Sequence, residues 1–152
     1  MKNEYKRLWI KRKYIKKIDK NKTIARIIAT HKDRYEIACN NGKGFAKIKR
    51  GCYYNNPNSV YPTTGDFVLI EWNESGDSMI YETLKRESSF SRTAASSDRT
   101  RELHNQHEQL VAANFDYVFI MQSLNNNFNI NRIERYLSLA WESGGIPVII
   151  LI

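Results

Sequence analysis

The sequence predicts two successive folds: an all-β, five-stranded barrel of the OB type over residues 23–84, followed by a β-α-β unit over residues 110–152. Three observations carry this reading. Between Lys22 and Leu84, short apolar alternations recur about every eight to twelve residues and are broken by turn residues. The longest break falls between the third and fourth strands, which suits a small Greek-key barrel; an SH3-like barrel is the nearest alternative. After Leu110, an apolar run, an amphipathic stripe and a second apolar run follow one another, as in two parallel strands joined by a helix.

The first strand, residues 23–30 (TIARIIAT), places Ile24, Arg26 and Ile28 on one face and Ala25, Ile27 and Ala29 on the other. A turn through His31, Lys32 and Asp33 leads to the second, residues 34–39 (RYEIAC). Asn40-Asn41-Gly42 tolerates positive φ and reads as a hairpin turn. The third strand, residues 44–50 (GFAKIKR), is apolar at Phe45 and Ile48 and basic at Lys47 and Lys49. Two prolines and four asparagine or glycine residues make residues 51–64 a loop. Residues 65–72 (GDFVLIEW) and 78–84 (SMIYETL) supply the fourth and fifth strands.

Residues 85–109 are polar, rich in Ser and Arg and without periodicity, so they read as a linker. His104 and His107 lie there without a matching Cys or carboxylate cluster, and surface histidines fit them better than a metal site. Residues 116–122 (DYVFIMQ) form a continuous apolar run of the kind that is covered on both faces in parallel sheets. A turn with capping residues at 125–129 precedes a helix over 130–143, with a stripe at Ile130, Ile133, Leu137, Ala140 and Trp141. Burial of Ile133, Leu137 and Trp141 is expected to stabilise the packing by about 1.5–3 kcal/mol each. Gly144 and Gly145 stop the helix, and Pro147 opens a second strand at 148–152. Strand, helix and strand then form a right-handed crossover.

Composition bounds the function. With 152 residues, 41% hydrophobic and 26% charged, the chain suits one small barrel plus a fragment of a second unit. No apolar run reaches the roughly 18 residues of a membrane helix, and no secretory signal opens the sequence, so the expected location is the cytoplasm. Cys39 and Cys52 have no second pair, which makes them reduced thiols rather than a zinc box or disulfide framework. The net charge of +8 is concentrated: residues 1–22 hold ten basic side chains against Glu4 and Asp19, while the remainder balances.

That basic arm (1–22) carries Lys6, Arg7, Lys11, Arg12, Lys13, Lys16 and Lys17, interleaved with Tyr5, Trp9 and Tyr14. Such an arm grips phosphate backbones by counterion release, and its aromatics suit unpaired bases. A plain solvated tail and a membrane-surface helix remain alternatives, although the apolar positions are few and irregular for the latter. On the barrel, OB-type binding through one strand face and the loops between strands one and two and between four and five points to His31, Lys32 and Arg34, with Lys43, Lys47 and Lys49 on the adjoining strand. Catalytic motifs are missing from these 152 residues: there is no G-x-x-x-x-G-K-[ST], G-x-G-x-x-G or G-x-S-x-G string and no paired His-Glu metal motif. Glu134 and Glu142 read as solvated or arginine-paired rather than acid/base groups.

The strings EQLVAANFDYVFIMQSLNNNFNINRIERYLSLAWESGGIPVIIL, YPTTGDFVLIE and SSFSRTAA resemble the amino-terminal half of the ribosome small-subunit-dependent GTPases, the circularly permuted family called RsgA or YjeQ. RIERYLSLAWESG is the most specific of them, and the likeness spans about residues 22–151. The resemblance implies an RNA-facing OB barrel followed by the opening β-α-β unit of a permuted GTPase domain. It implies the small ribosomal subunit and its rRNA as partners, with no DNA or membrane and a monomeric state. GTP, magnesium and zinc are expected only of a full-length member. The guanine-reading Asn/Thr-Lys-x-Asp motif is expected directly after Leu151, so the resemblance implies a shortened member. Its catalytic and nucleotide-binding residues map to no position here, so the expected function is binding of the small subunit or its rRNA through the barrel and arm; the alternatives are a functional GTPase by family and a truncated, nonfunctional relic. The arm is more basic than the family's, and Cys52 with the Asn-rich loop departs from its pattern.

Overall fold

The computed structural model describes residues 21–54, 60–93 and 108–152, which divide into two compact units, 1–86 and 87–152. In the first unit, β1 (Thr23–Thr30), β2 (Tyr35–Cys39), β3 (Gly42–Ile48), β4 (Phe67–Glu71) and β5 (Ser78–Thr83) close into a barrel in the order β1-β2-β3-β5-β4. All neighbours are antiparallel except β3 and β5, which run parallel in the register Ala46–Ser78, Lys47–Met79 and Ile48–Ile80. The OB-type expectation is borne out, with each strand within two residues of its expected ends.

Alternation explains the core. Ala25, Ile27, Ile37, Cys39, Ala46, Val68, Ile70 and Ile80 point inward from five strands and pack together. A bulge in the β1–β2 pairing between Ile27 and Ala29 turns the end of β1, leaving Ile28 exposed. In β3, Ala46 and Ile48 face the core, while Phe45 lies on the outer face with Lys43 and Lys47. Gly44 sits under the Trp72 indole, where a Cβ would come within 3.2 Å of the ring.

A second correction concerns the stretch 51–64. It contains a short helix, α1 (Arg50–Tyr54), whose Tyr53 ring is buried in the barrel core and whose hydroxyl meets Thr83 Oγ1 at 2.8 Å. Burial, outweighing the Thr83 hydrogen bond, pushes the Tyr53 phenol up to about 12 from 10.0. The folded state therefore holds this proton more tightly than the unfolded chain. The stability it contributes is full below pH 10 and is lost as the pH rises through about 12. Alkaline unfolding followed by circular dichroism is expected to show this loss in the wild type and a smaller one in Tyr53→Phe; equal curves would refute the assignment.

Arg86 anchors the segment that leads into β4. Its Nε donates to Asp66 Oδ1 at 2.8 Å, and its Nη2 donates to Asp66 Oδ2 at 2.6 Å and to the Tyr61 carbonyl at 2.9 Å. The same carboxylate accepts from the Thr63 backbone amide at 2.8 Å. Asp66 is fully buried, so this fork and amide satisfy a charge that would otherwise be stranded in the barrel wall.

The second unit begins inside the expected linker, which is a further correction. Residues Ser89–Thr93 form β6, which pairs antiparallel with β7 (Glu108–Ala113). Ser88 explains part of the ordering, because its hydroxyl bridges the amide and carbonyl of Phe115 at 2.8 and 2.6 Å. The expected β-α-β unit follows as β8 (Tyr117–Gln122), α2 (Ile130–Glu142) and β9 (Ile146–Leu151), with β8 and β9 parallel. Asn129 caps the helix by accepting from the Arg132 amide at 3.2 Å. Gly144 leaves it at φ 82°, a left-handed conformation that disfavours a side chain. Gly145 lies where a Cβ would meet Phe115 and Val118 at 2.7 and 2.8 Å.

Two burial expectations fail here. β8 is covered on one face only: Ile120 and Gln122 are buried, whereas Tyr117, Phe119 and Met121 are 57%, 63% and 63% exposed. In α2, Ile133 and Ala140 are buried, but Ile130 and Trp141 face outward. The apolar stripe is wider than the strip that two strands cover. β9 also starts earlier than expected, at Ile146, with Pro147 inside a strand that has one hydrogen-bonded neighbour, where a missing N–H is tolerated.

Candidate nucleic-acid interface

The outer face of β3 is built by period-two alternation: Lys43, Phe45 and Lys47 project from the barrel while Gly44, Ala46 and Ile48 turn inward. β2 lies alongside in the register Glu36–Phe45 and Tyr35–Ala46, so the β1–β2 turn arrives next to Phe45. The Arg34 guanidinium stacks over the Phe45 ring at 4.0 Å, and the His31 ring lies 6.3 Å away at a 58° tilt. An exposed ring with a cation on it and lysines on both sides presents π surface and positive charge together.

The six barrel residues expected from the sequence separate into different environments. Arg34 sits on Phe45, with His31 on the same ring. Lys32 and Lys47 line one cavity of about 570 Å³, together with Arg50, Tyr35, Tyr54 and Tyr61. Lys47 is ion-paired with Asp77 at 2.7 Å, which neutralises part of its charge. Lys43 lies near the other end of β3, beside Ala38 of β2. Lys49 is drawn away: its ammonium donates to the Tyr81 hydroxyl at 3.0 Å, and Tyr81 donates to Glu71 at 2.5 Å. That hydrogen bond holds the Lys49 ammonium above its usual range, and Lys22 lies over the same Tyr81 ring at 4.5 Å. The arm residues Lys6, Arg7, Lys11, Arg12, Lys13, Lys16 and Lys17 lie outside the described residues, as do His104 and His107.

Sequence reasoning missed Phe45 as a surface group, and it missed Arg50, Tyr54 and Tyr61. The available signal was the density of tyrosines in a stretch otherwise made of polar turn formers. Tyr61 packs against Tyr53 with centroids 5.6 Å apart, and burial with the nearby Tyr61 raises the Tyr35 phenol above its usual value. Cys39 is buried and free, its thiol pushed up by burial, which makes it an unreactive core group; Cys52 is also free. Among the described residues no cluster of three or more His, Cys, Asp or Glu is placed to hold a metal, and no helix is long and apolar enough to cross a membrane.

Residues 83–152 match the family model described as RsgA GTPase. A small ribosomal subunit biogenesis GTPase RsgA 1 from Listeria monocytogenes is 43% identical over 135 residues, covering 89% of this chain and 35% of the relative. This chain belongs to the RsgA family. The Listeria innocua RsgA 1 is 42% identical over the same length, again covering 35% of that protein, so the chain spans about a third of the length of these curated relatives. The crystal structure of YjeQ from Thermotoga maritima superposes with a TM-score of 0.65 at 17% identity, covering 86% of this chain and 41% of YjeQ. The barrel followed by strands and a helix is thus a fold shared with a solved structure, and the RsgA match begins just before the second unit.

Proposed function

We propose that this RsgA-family chain binds the small ribosomal subunit through its rRNA, using the outer face of β3, the β1–β2 turn and the basic arm. The carrying observation is the Arg34–Phe45 stack at 4.0 Å between Lys43 and Lys47 on an exposed strand face. Exposed aromatics stack on bases regardless of sequence, and flanking cations neutralise phosphates, so the face suits single-stranded or irregular RNA more than duplex DNA. The names of its relatives, small ribosomal subunit biogenesis GTPases, support the choice of RNA.

In this reading residues 110–152 open a GTPase domain, and GTP with its metal belongs to segments carrying motifs that these 152 residues lack. The chain acts in the cytoplasm as a monomer and does not turn over GTP by itself. Binding is tested by titrating small-subunit rRNA across a salt series. Phe45→Ala is expected to weaken affinity roughly fivefold to a hundredfold through lost base stacking. Neutralising Lys32, Arg34 and Lys43 together is expected to lower the salt slope by about 0.7 per cation engaged with unpaired RNA. Unchanged affinity and slope in folded variants would refute the interface.

A further inference from the structure

We infer that the cavity between the β1–β2 turn, the end of β3 and α1 is a pocket for a single unpaired nucleotide of structured RNA, its base held among tyrosines and its phosphate by Lys32, Lys47 and Arg50. The proposal rests on the RNA-binding reading and adds to the Phe45 face an adjoining site that shares Lys32 and Lys47 with it.

Size comes first: about 570 Å³ lies well inside the range of roughly 300–1,000 Å³ for small-ligand sites. Chemistry comes second. The walls combine Tyr35, Tyr54 and Tyr61 with Lys32, Lys47 and Arg50, so π faces and cations converge on one space. A nucleoside phosphate needs that pairing, whereas a sugar or an acidic peptide would leave either the rings or the cations unused. Preorganisation comes third. Tyr61 is backed by Tyr53 at 5.6 Å, and its carbonyl is held at 2.9 Å by Arg86, which in turn is locked on buried Asp66. The residue is nonetheless 57% exposed, a supported platform with surface to offer. The Asp77 bridge at 2.7 Å orients Lys47 without burying it, since that side chain remains 54% exposed.

Asp33 also lines the cavity, and a carboxylate there accepts hydrogen bonds from an exocyclic amine. Uracil offers only its ring N3–H on that edge, so the pocket should favour adenine, cytosine or guanine, whose exocyclic amine reaches further toward the carboxylate.

The experiment compares, for the full chain, a fully paired RNA hairpin, the same hairpin with one bulged adenosine or one bulged uridine, and free AMP. The bulged-adenosine hairpin is expected to bind about tenfold tighter than the paired one, with the uridine bulge between them. Tyr54→Ala and Arg50→Ala, both exposed positions, are each expected to reduce that preference about fivefold or more, while Phe45→Ala lowers binding of every hairpin alike. Competition by AMP would assign the pocket to free nucleotide instead and overturn the extruded-base proposal. Equal, salt-dependent binding of paired and bulged hairpins would also overturn the pocket while leaving the interface intact. Failure to bind any RNA would overturn both.

Discussion

Replacing Arg86 with alanine is expected to destabilise the barrel unit by roughly 3–5 kcal/mol, the usual cost of stripping one partner from a buried ion pair. The Asp66 carboxylate is fully buried, and Arg86 supplies two of the donors to it, at 2.8 and 2.6 Å. Without the guanidinium the carboxylate loses its fork of two hydrogen bonds and the opposite charge beside it, and a backbone amide such as that of Thr63 does not replace that charge. Arg86→Lys should fall between the two, because an ammonium restores the charge but not the planar fork. Urea denaturation followed by near-ultraviolet circular dichroism checks both variants; a midpoint for Arg86→Ala equal to that of the wild type would refute the assignment. The same guanidinium holds the Tyr61 carbonyl, so the bulge preference of the nucleotide pocket should decline with it.

The second large effect is expected at Ile37, where truncation to alanine should cost about 2–5 kcal/mol, against about 0.5–1.5 kcal/mol for valine. Ile37 is fully buried at the centre of the sheet, paired with Ile27 of β1 on one side and Gly44 of β3 on the other. Its neighbours are drawn from several strands, so the cavity left behind cannot close by moving one element. Ile37→Ala should shift the unfolding midpoint and leave the RNA affinity of the folded fraction near that of the wild type. Phe45→Ala should do the reverse. Equal losses of affinity in both variants would mean that RNA binding tracks stability rather than the β3 face.

Much of the barrel was legible because a half-buried strand writes its burial into the sequence with a period of two. TIARIIAT, RYEIAC and GDFVLIEW could each be assigned from their own residues. The face of Phe45 was left open because hydrophobicity alone does not separate an aromatic that packs inward from one that stacks outward on an arginine. Small Ala46 proved to be the core residue, and Phe45 the surface one. α1 was hidden because five residues are too few to show a helical period, and the burial of Tyr53 supplies what its local propensity does not. β6 was hidden because a polar Ser- and Arg-containing strand has no alternation to read, and its pairing with β7 spans a separation in sequence that composition does not register. The continuous apolar run of β8 was read as covered on both faces, yet Tyr117, Phe119 and Met121 stand exposed. An apolar sequence states what a residue would gain by burial, not whether a partner is present to bury it.

The candidate interface divides in the same way. Lys32, Arg34, Lys43, Lys47 and Lys49 were identifiable as a basic group by strand and turn alone. Their separation into a ring-stacked Arg34, an Asp77-bound Lys47 and a Lys49 diverted to Tyr81 depended on residues up to 32 positions away. By itself the sequence determined the five strands, the capped helix, the concentration of charge in the arm and the family resemblance, because each is written in local pattern or in contiguous strings. Only the tertiary structure decided which lysines are engaged by Asp77 and Tyr81, that Phe45 faces outward, and that three tyrosines from separate segments share one cavity. Those are properties of distance between residues remote along the chain, set by closure of the barrel.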